Sequence, residues 1–462
     1  MPMVLLSVSG PMSGCATPGD RTDDHPPEQA GPASVAVDVH GQERALGPGA
    51  SARLIERAVD EKELSASLER MIAAEHALTR SPLVAGNATR LLIDGPAAFG
   101  AMFEAIAKAR HHVHLETYIL ADDEMGMRLA ELLIERRARG VEVRVLYDAF
   151  GSIALSQAYL DRLRAAGVEL RAFRPIDPVG SPKLWELNNR DHRKLLIVDG
   201  RIGFTGGMNV SRIYAKSSFS APRREPNINE RVRDTELEIE GPAVANLQRL
   251  FLEQWTEADP DGPPPGSDRS AYLPPLAARG EDLVRIVSSK GGDDRYDIYN
   301  AYLAAIEQAR HSIWLTQAYF APGERMLAAL AAAARRGVDV RILVPGLTDH
   351  SMLIDASRSC YGDLLEAGVR IYERKDAMVH AKTAVIDGVW STVGSTNFDY
   401  RSFLHDDEVN AVVVSRRLGE AMQDAYRADI ATAQPVDLDT WRRRPLGDRL
   451  RERLIRLLHY WI

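Results

Sequence analysis

Two stretches of this chain carry the same chemically active residues at the same spacing. In DHRKLLIVDGRIGFTGGMN, residues 191–209, His192 is followed by Lys194 and Asp199, and then by Gly207 and Asn209. In VHAKTAVIDGVWSTVGSTN, residues 379–397, the corresponding residues are His380, Lys382, Asp387, Ser395 and Asn397. Two histidines and two lysines suit the cleavage of a phosphodiester. One neutral imidazole can attack phosphorus and hold it covalently. The other, protonated, can donate to the leaving alkoxide and later accept a proton from an incoming alcohol or water. Lys194 and Lys382, with Gly207, Asn209, Ser395 and Asn397, would cradle the non-bridging oxygens of the phosphate. Both motifs use lysine in a chain with 8 Lys and 49 Arg, and a compact charge suits a single phosphate oxygen. No residues at metal-ligand spacing accompany either motif, so neither a metal nor a cofactor is expected.

Each motif must sit on a hairpin. Asp199-Gly200 and Asp387-Gly388 are turn dipeptides between runs of strand formers. With a two-residue turn, Lys194 pairs with Thr205 and His192 with Gly207, while Lys382 pairs with Val393 and His380 with Ser395. The small residue opposite each histidine would leave room for a ligand. Alternation puts His192, Lys194 and Asn209 on one face, and His380, Lys382, Ser395 and Asn397 on the equivalent one. Asp199 and Asp387 complete the catalytic motifs, but about 16 Å of strand separates Asp199 from Lys194, so both are expected to hold the hairpin rather than touch substrate. Each imidazole also needs a partner that fixes its tautomer. Asp234 in RDTELEIEGPAV and Glu408 in HDDEVNAVVV superpose on their apolar neighbours, and are expected to orient His192 and His380 respectively.

The repeat extends beyond the motifs. AIAKARHHVHLETYIL at 105 matches AIEQARHSIWLTQAYF at 305, and RRARGVEVRVLYD at 136 matches RRGVDVRILVPG at 335. Each half reads helix, apolar strand, helix, apolar strand and then hairpin, which implies an α/β fold with a largely parallel sheet covered on both faces. The expected organisation is a leader or linker over 1–50, N-terminal helices over 51–85, a first half over 86–258, a Pro-rich linker over 259–280, a second half over 281–436, and a basic amphipathic C-terminal helix over 437–462. Duplication within one chain implies a pseudo-twofold dimer whose two motifs share one cleft.

The paired H-x-K-x4-D motifs, each followed by G-[GS]-x-N, resemble the phospholipase D superfamily. NNRDHRKLLIVDGRIGFTGGMNVS, RDTELEIEGPAV, QAYFAPGERMLAAL and GSTNFDYRSF narrow the resemblance to bacterial cardiolipin synthases, from about residue 86 to 462, of the branch without N-terminal membrane spans. The resemblance implies two tandem α/β/α sandwich halves with one active site between them. It also implies transfer of a phosphatidyl group, through phosphohistidine, to the headgroup glycerol of a second phosphatidylglycerol. His192 would be the nucleophile and His380 the acid and base, although the sequence itself is symmetric about that choice. Gly207 in place of a second serine, and His405 in FLHDDEVN, depart from the family pattern and bear on the acceptor.

Rival readings are a phospholipase D that delivers water, a nuclease-like phosphodiesterase, and a non-catalytic lipid-binding protein. The net charge of −8 argues against a nucleic-acid partner. Both motifs are complete, which argues against loss of catalysis. The expected partners are anionic phospholipid and a membrane surface, with no obligatory protein partner. The C-terminal LGDRLRERLIRLLHYWI places Leu450, Leu454, Leu457, Leu458 and Trp461 on one helical face, which suits either an interfacial helix on anionic lipid or a helix packed on its own domain. Near the start, Ser13-Gly14-Cys15 after a short apolar stretch resembles a lipoprotein cleavage site, although no Lys or Arg precedes it. A peripheral membrane location, with Cys15 as a candidate lipid anchor, follows. His111, His112 and His114 read as structural, since the second copy has His311, Ser312 and Trp314. Tyr118 and Tyr319 read as core, Glu116 and Gln317 as strand positions that could face the cleft, and Cys360 as a small buried residue.

Overall fold

A computed structural model describes residues 39–40, 46–58, 62–79, 81–175, 189–219, 231–259, 269–293, 295–348 and 351–456. Cys15, Leu457, Leu458 and Trp461, and residues 260–268 of the Pro-rich segment, lie outside the described residues.

Fourteen strands carry the architecture. In the first half they are β1 (Leu83–Ile93), β2 (His112–Thr117), β3 (Glu142–Asp148), β4 (Glu169–Phe173), β5 (Leu195–Val198), β6 (Ile202–Gly206) and β7 (Thr235–Glu240). The second half repeats them as β8 (Asp282–Ser289), β9 (Ser312–Gln317), β10 (Asp339–Pro345), β11 (Arg370–Arg374), β12 (Lys382–Ile386), β13 (Trp390–Gly394) and β14 (Glu408–Val414). All join one sheet in the order β11-β10-β9-β12-β13-β14-β8-β1-β7-β6-β5-β2-β3-β4. The order reads the same from either end, so a pseudo-twofold passes between β8 and β1, which pair antiparallel through Asp282 with Asn87 and Val284 with Val84.

In each half three strands run parallel (β2-β3-β4 and β9-β10-β11), and the hairpin lies antiparallel to the first of them. The strands are buried on both faces, as crossover helices require. Leu195 and Ile197 face one layer while Leu196 and Val198 face the other. On one face the core is continuous across both halves: Phe251 and Trp255 of helix 244–258 share a cluster with Met422 and Tyr426 of helix 416–430. On the other face, helices 94–108 and 124–138 cover the first half and helices 297–308 and 324–335 the second, as separate clusters. Local signals start and stop these helices. Asp123, Ser156 and Ser415 cap helix N-termini with side-chain oxygens. Gly140 and Gly337 take positive φ, 86° and 91°, where a helix turns into the next strand.

Helices Pro48–Ala58 and Lys62–Thr79 precede the first half in sequence but pack on the second. Ser67 Oγ donates to the Gln308 carbonyl at 2.6 Å, and Trp390 Nε1 to Glu75 at 2.6 Å. The C-terminal region forms two helices, Leu438–Arg442 and Leu446–Arg456, rather than one. The three-histidine stretch is structural: Gln248 bridges His112 and His114, and His114 stacks on Phe251. Cys360 is fully buried, and burial pushes its thiol up to about 11.

Candidate active site

The hairpins differ from the sequence reading by one residue. Val198 pairs with Ile202 and Leu195 with Thr205, so Asp199, Gly200 and Arg201 form a three-residue loop. In the second copy Ile386 pairs with Trp390 and Thr383 with Val393. The Asp-Gly dipeptide signals a tight turn but does not reveal the extra residue that a bulged loop takes in. Both aspartates sit in the left-handed region, at φ 55° and 52°. Their carboxylates explain why: Asp199 accepts from the backbone N–H groups of Arg110, His111 and His112, and Asp387 from those of Arg310, His311 and Ser312. Each turn is thereby pinned to the start of the neighbouring strand, β2 or β9. Neither aspartate is beside His192 or His380.

The histidines lie where β5 and β12 begin. Leu195 pairs with Glu116, and Lys382 with Gln317, so both motifs occupy the edge where β2 and β9 end. There the two halves exchange short ladders. The His192 N–H donates to the Asp407 carbonyl at 2.9 Å, and the His380 N–H donates to the Arg233 carbonyl at 2.8 Å. Asp407 directly precedes Glu408, and Arg233 directly precedes Asp234. The carboxylate beside each histidine consequently belongs to the opposite half. His192 Nδ1 is 2.9 Å from Glu408 Oε1, and His380 Nδ1 is 2.7 Å from Asp234 Oδ2. The sequence reading paired them within each half, His192 with Asp234 and His380 with Glu408. That pairing is wrong because the cross-half ladders set the register, and a one-dimensional superposition of the halves does not contain them.

The one-residue shift moves Gly207 and Ser395 off the positions opposite the histidines, and both serve the carboxylates rather than a ligand. A Cβ at Gly207 would run into Asp234 Oδ1, so the missing side chain makes room for Asp234. The Ser395 hydroxyl donates to Glu408 Oε2, and the Val409 N–H donates back to that hydroxyl at 3.0 Å. Asn209 is also engaged: its Oδ1 accepts from the Ile119 N–H at 3.0 Å and its Nδ2 donates to the Tyr214 hydroxyl at 3.0 Å. Asn397 is buried, and its Oδ1 has no hydrogen-bond partner among the described residues.

Aromatic rings complete the walls. Tyr118 meets the His192 ring edge-on at 5.1 Å and lies 5.5 Å from Lys194 Nζ, so it belongs to the site and not to the core. Tyr214 stands in the same relation to His380, at 5.4 Å. Sequence reading missed Tyr214, and placed Tyr118 in the core because it continues an apolar strand. Glu116 and Gln317 are fully buried. Burial pushes the Glu116 carboxyl up to about 7, against the pull of Arg193.

The electrostatics are those of a buried cationic pocket. Lys194 and Lys382 each bond the backbone carbonyl of their own histidine, at 192 and 380. Burial lowers Lys194 to about 8 and Lys382 to about 7, each against nearby carboxylates. Burial and the Lys382 ammonium bring His380 down to about 4. Burial and both lysines hold His192 well below the usual histidine range, and His380 itself contributes, so the motifs of both halves act on one site. The carboxylates differ. Burial pushes Glu408 up to about 7. Burial also acts to raise Asp234, but His380 and Lys382 outweigh it and hold that carboxyl below its ordinary value. With each Nδ1 turned to a carboxylate, Nε2 is the ring nitrogen turned to the chemistry, and at His380 the Lys382 Nζ stands 3.1 Å from it. Such a site can bind an anionic phosphate, attack it from one ring and protonate a leaving oxygen from the other.

Comparison with known proteins bears on the family and the fold. A family described as "Cardiolipin synthase, PLD-like domain" matches residues 102–228 and 302–430. The cardiolipin synthase of Geobacillus sp. (strain WCH70) is 37% identical over 87% of this chain and 78% of its own length. Cardiolipin synthase A of Pseudomonas aeruginosa (strain LESB58) is 38% identical over 81% of this chain and 74% of its own. Among solved structures, the phosphatidylserine synthase of Haemophilus influenzae Rd KW20 shares the fold at a TM-score of 0.63 and 14% identity, over 84% of this chain and 99% of that one.

Proposed function

The chain belongs to the cardiolipin synthase family of phospholipase D-like proteins, and from that premise we propose that it makes cardiolipin from two phosphatidylglycerols through a covalent phosphohistidine. His192 Nε2 attacks phosphorus of the first lipid, forming a P–N bond while the P–O bond to the headgroup glycerol breaks. His380 Nε2–H gives its proton to the departing glycerol oxygen. Glycerol leaves, and a hydroxyl of the second phosphatidylglycerol takes its place. His380 accepts the proton of that hydroxyl, the new P–O bond forms, and the P–N bond breaks to restore His192.

One observation carries the choice of roles: His380 is bonded to Asp234, the carboxylate that stays ionised, whereas His192 is bonded to Glu408, which burial pushes up to about 7. An ionised partner favours the imidazolium, which the acid must become. Burial first, and then the repulsion of Lys194 and Lys382, hold both rings neutral, and the negative charge of a bound phosphodiester offsets that repulsion. Lys194, Lys382, Asn209 and Asn397 hold the non-bridging oxygens. Asp199 and Asp387 keep the hairpins in register.

The substrate places the enzyme at a membrane. Among the described residues no helix is long and apolar enough to cross one. We assign it a peripheral position, with Cys15 as a candidate lipid anchor. The test is incubation of the purified chain with phosphatidylglycerol vesicles, with chelator present, followed by separation of the lipids. Cardiolipin and free glycerol, absent with His192→Ala and His380→Ala, are the expected products. Phosphatidic acid in place of cardiolipin would make the enzyme a hydrolase.

A further inference from the structure

Eight large apolar side chains stand exposed among the described residues, and seven of them lie near where the C-terminal strand ends of the two halves meet. β2 and β9 run in opposite directions in the sheet order, but the cross-half bonds of His192 and His380 bring the ends of β2, β3, β9 and β10 together into one catalytic edge. Phe150 and Ile153, 51% and 71% exposed, follow β3 within five residues. Met352 follows β10 in the equivalent place across the pseudo-twofold. Phe219 lies beside the end of β11, where Arg374 stacks on its ring at 4.9 Å, and the neighbouring Ser218 bonds Asp94 at the end of β1.

The other three are on the C-terminal helix Leu446–Arg456. Its inner side is fastened to the same edge. Ile455 packs with Ala356 and Ala321, and Arg451 pairs with Asp355 at 2.8 Å. The strand Phe320–Ala321 in turn pairs with Phe398–Asp399, which directly follows Asn397. Leu446, Leu450 and Leu454, spaced four apart, form the opposite side and are 78%, 60% and 56% exposed. Arg449, exposed beside Leu450, has no ion-pair partner among the described residues. The eighth residue, Leu78, lies in the last turn of helix Lys62–Thr79, whose Glu75 accepts from Trp390 beside the Asp387 turn, at the other end of the hairpin from His380.

We infer that these residues form an apolar collar which docks the catalytic edge flat onto the surface of an anionic bilayer. The collar takes contributions from both halves and surrounds the cleft, so docking holds the cleft mouth against the lipid headgroups. The leucines and phenylalanines enter the boundary between headgroups and acyl chains, and Arg449 meets lipid phosphate. The inference rests on the reading that the substrate is a membrane phospholipid.

The full chain is sedimented with vesicles of phosphatidylcholine and phosphatidylglycerol, and compared with Leu450→Glu/Leu454→Glu, Ile153→Glu and Leu78→Glu. Vesicle affinity falls roughly tenfold or more for the first two and is unchanged for the third. Turnover of detergent-dispersed phosphatidylglycerol stays intact in all of them, which also reports that they fold. On the unaltered chain, vesicles slow amide exchange in 149–156 and 446–456 but not in 70–79. Equal loss from Leu78→Glu, no loss from the collar variants, or no such protection overturns the inference. Failure of the unaltered enzyme on dispersed lipid would instead overturn the functional reading, and leaves the vesicle measurement able to decide the docking face.

Discussion

His192 and Glu408, 2.9 Å apart at Nδ1 and Oε1, come from opposite halves of the chain, and Asp234 and His380 repeat the relation in reverse at 2.7 Å. Each half supplies a reactive ring and the group that steadies the other ring. Asp234→Asn and Glu408→Gln should each lower kcat by about 10²- to 10⁴-fold, in the range seen when a buried histidine loses its orienting carboxylate. Steady-state rates on phosphatidylglycerol check this. Combining Asp234→Asn with His380→Ala should add little to His380→Ala alone, whereas combining it with His192→Ala tests a different pair. Greater coupling of Asp234 to His192 would contradict the geometry.

The two histidines should separate in a trapping experiment. With labelled phosphatidylglycerol, His380→Gln should leave label on the protein as an acid-labile, base-stable phosphoramidate, because attack by His192 survives better than release. His192→Gln should carry no label. The opposite pattern would exchange the roles.

Gly207 and Ser395 occupy corresponding positions with different duties. Gly207→Ser should displace the Asp234 carboxylate and reduce activity more than Ser395→Gly, which removes one hydrogen bond to Glu408. The loss from Ser395→Gly should be about tenfold, as for one charge-assisted hydrogen bond. Relative kcat of the two variants decides the order.

Stability should depend on pH through His380. Its folded value, about 4, lies below the ordinary 6.5, so between those values the unfolded chain binds the extra proton and stability rises with pH. Folded stability is lost through this group as pH falls from about 6.5 to 4. Buried carboxyls raised to about 7, such as Glu75, act in the opposite sense over the same range. The difference between His380→Gln and the parent chain isolates the histidine: melting temperatures at pH 7 and pH 5 should show the variant losing less on acidification.

The turn aspartates should behave as structural groups. Asp387→Asn weakens the carboxylate that three backbone N–H groups share, and should cost about 1–3 kcal/mol in denaturant unfolding. Activity measured well below the melting temperature should fall less than in Lys382→Met.

Duplication made much of this legible beforehand. The matched segments at 105 and 305 and the two hairpins are enough to read two α/β halves, a shared cleft and the two histidines and two lysines in it. What stayed hidden depends on contacts between halves. Nothing in RDTELEIEGPAV states that the Arg233 carbonyl receives the amide of His380, and that bond is what hands Asp234 to the far histidine. Tyr118 and Tyr214 were hidden for a similar reason, since a tyrosine at the end of an apolar run reads as packing until the strand edge is known to be the site. The N-terminal helices, which cross over to cover the second half, could be recognised as helices, but their destination could not.

The halves are joined by the short β8–β1 ladder, by the backbone bonds of His192 and His380 and by a core continuous across both, and this has a mechanical consequence. Many two-lobed enzymes grip and release by flexing a joint, but a joint stitched by backbone hydrogen bonds has no soft axis to flex. The span between the two imidazoles is set by the backbone bonds from His192 to Asp407 and from His380 to Arg233, much as fixed calipers are set by their frame. Lipids must thread into and out of a rigid jaw, and the pliant parts of the turnover cycle are left to the loops at its lip.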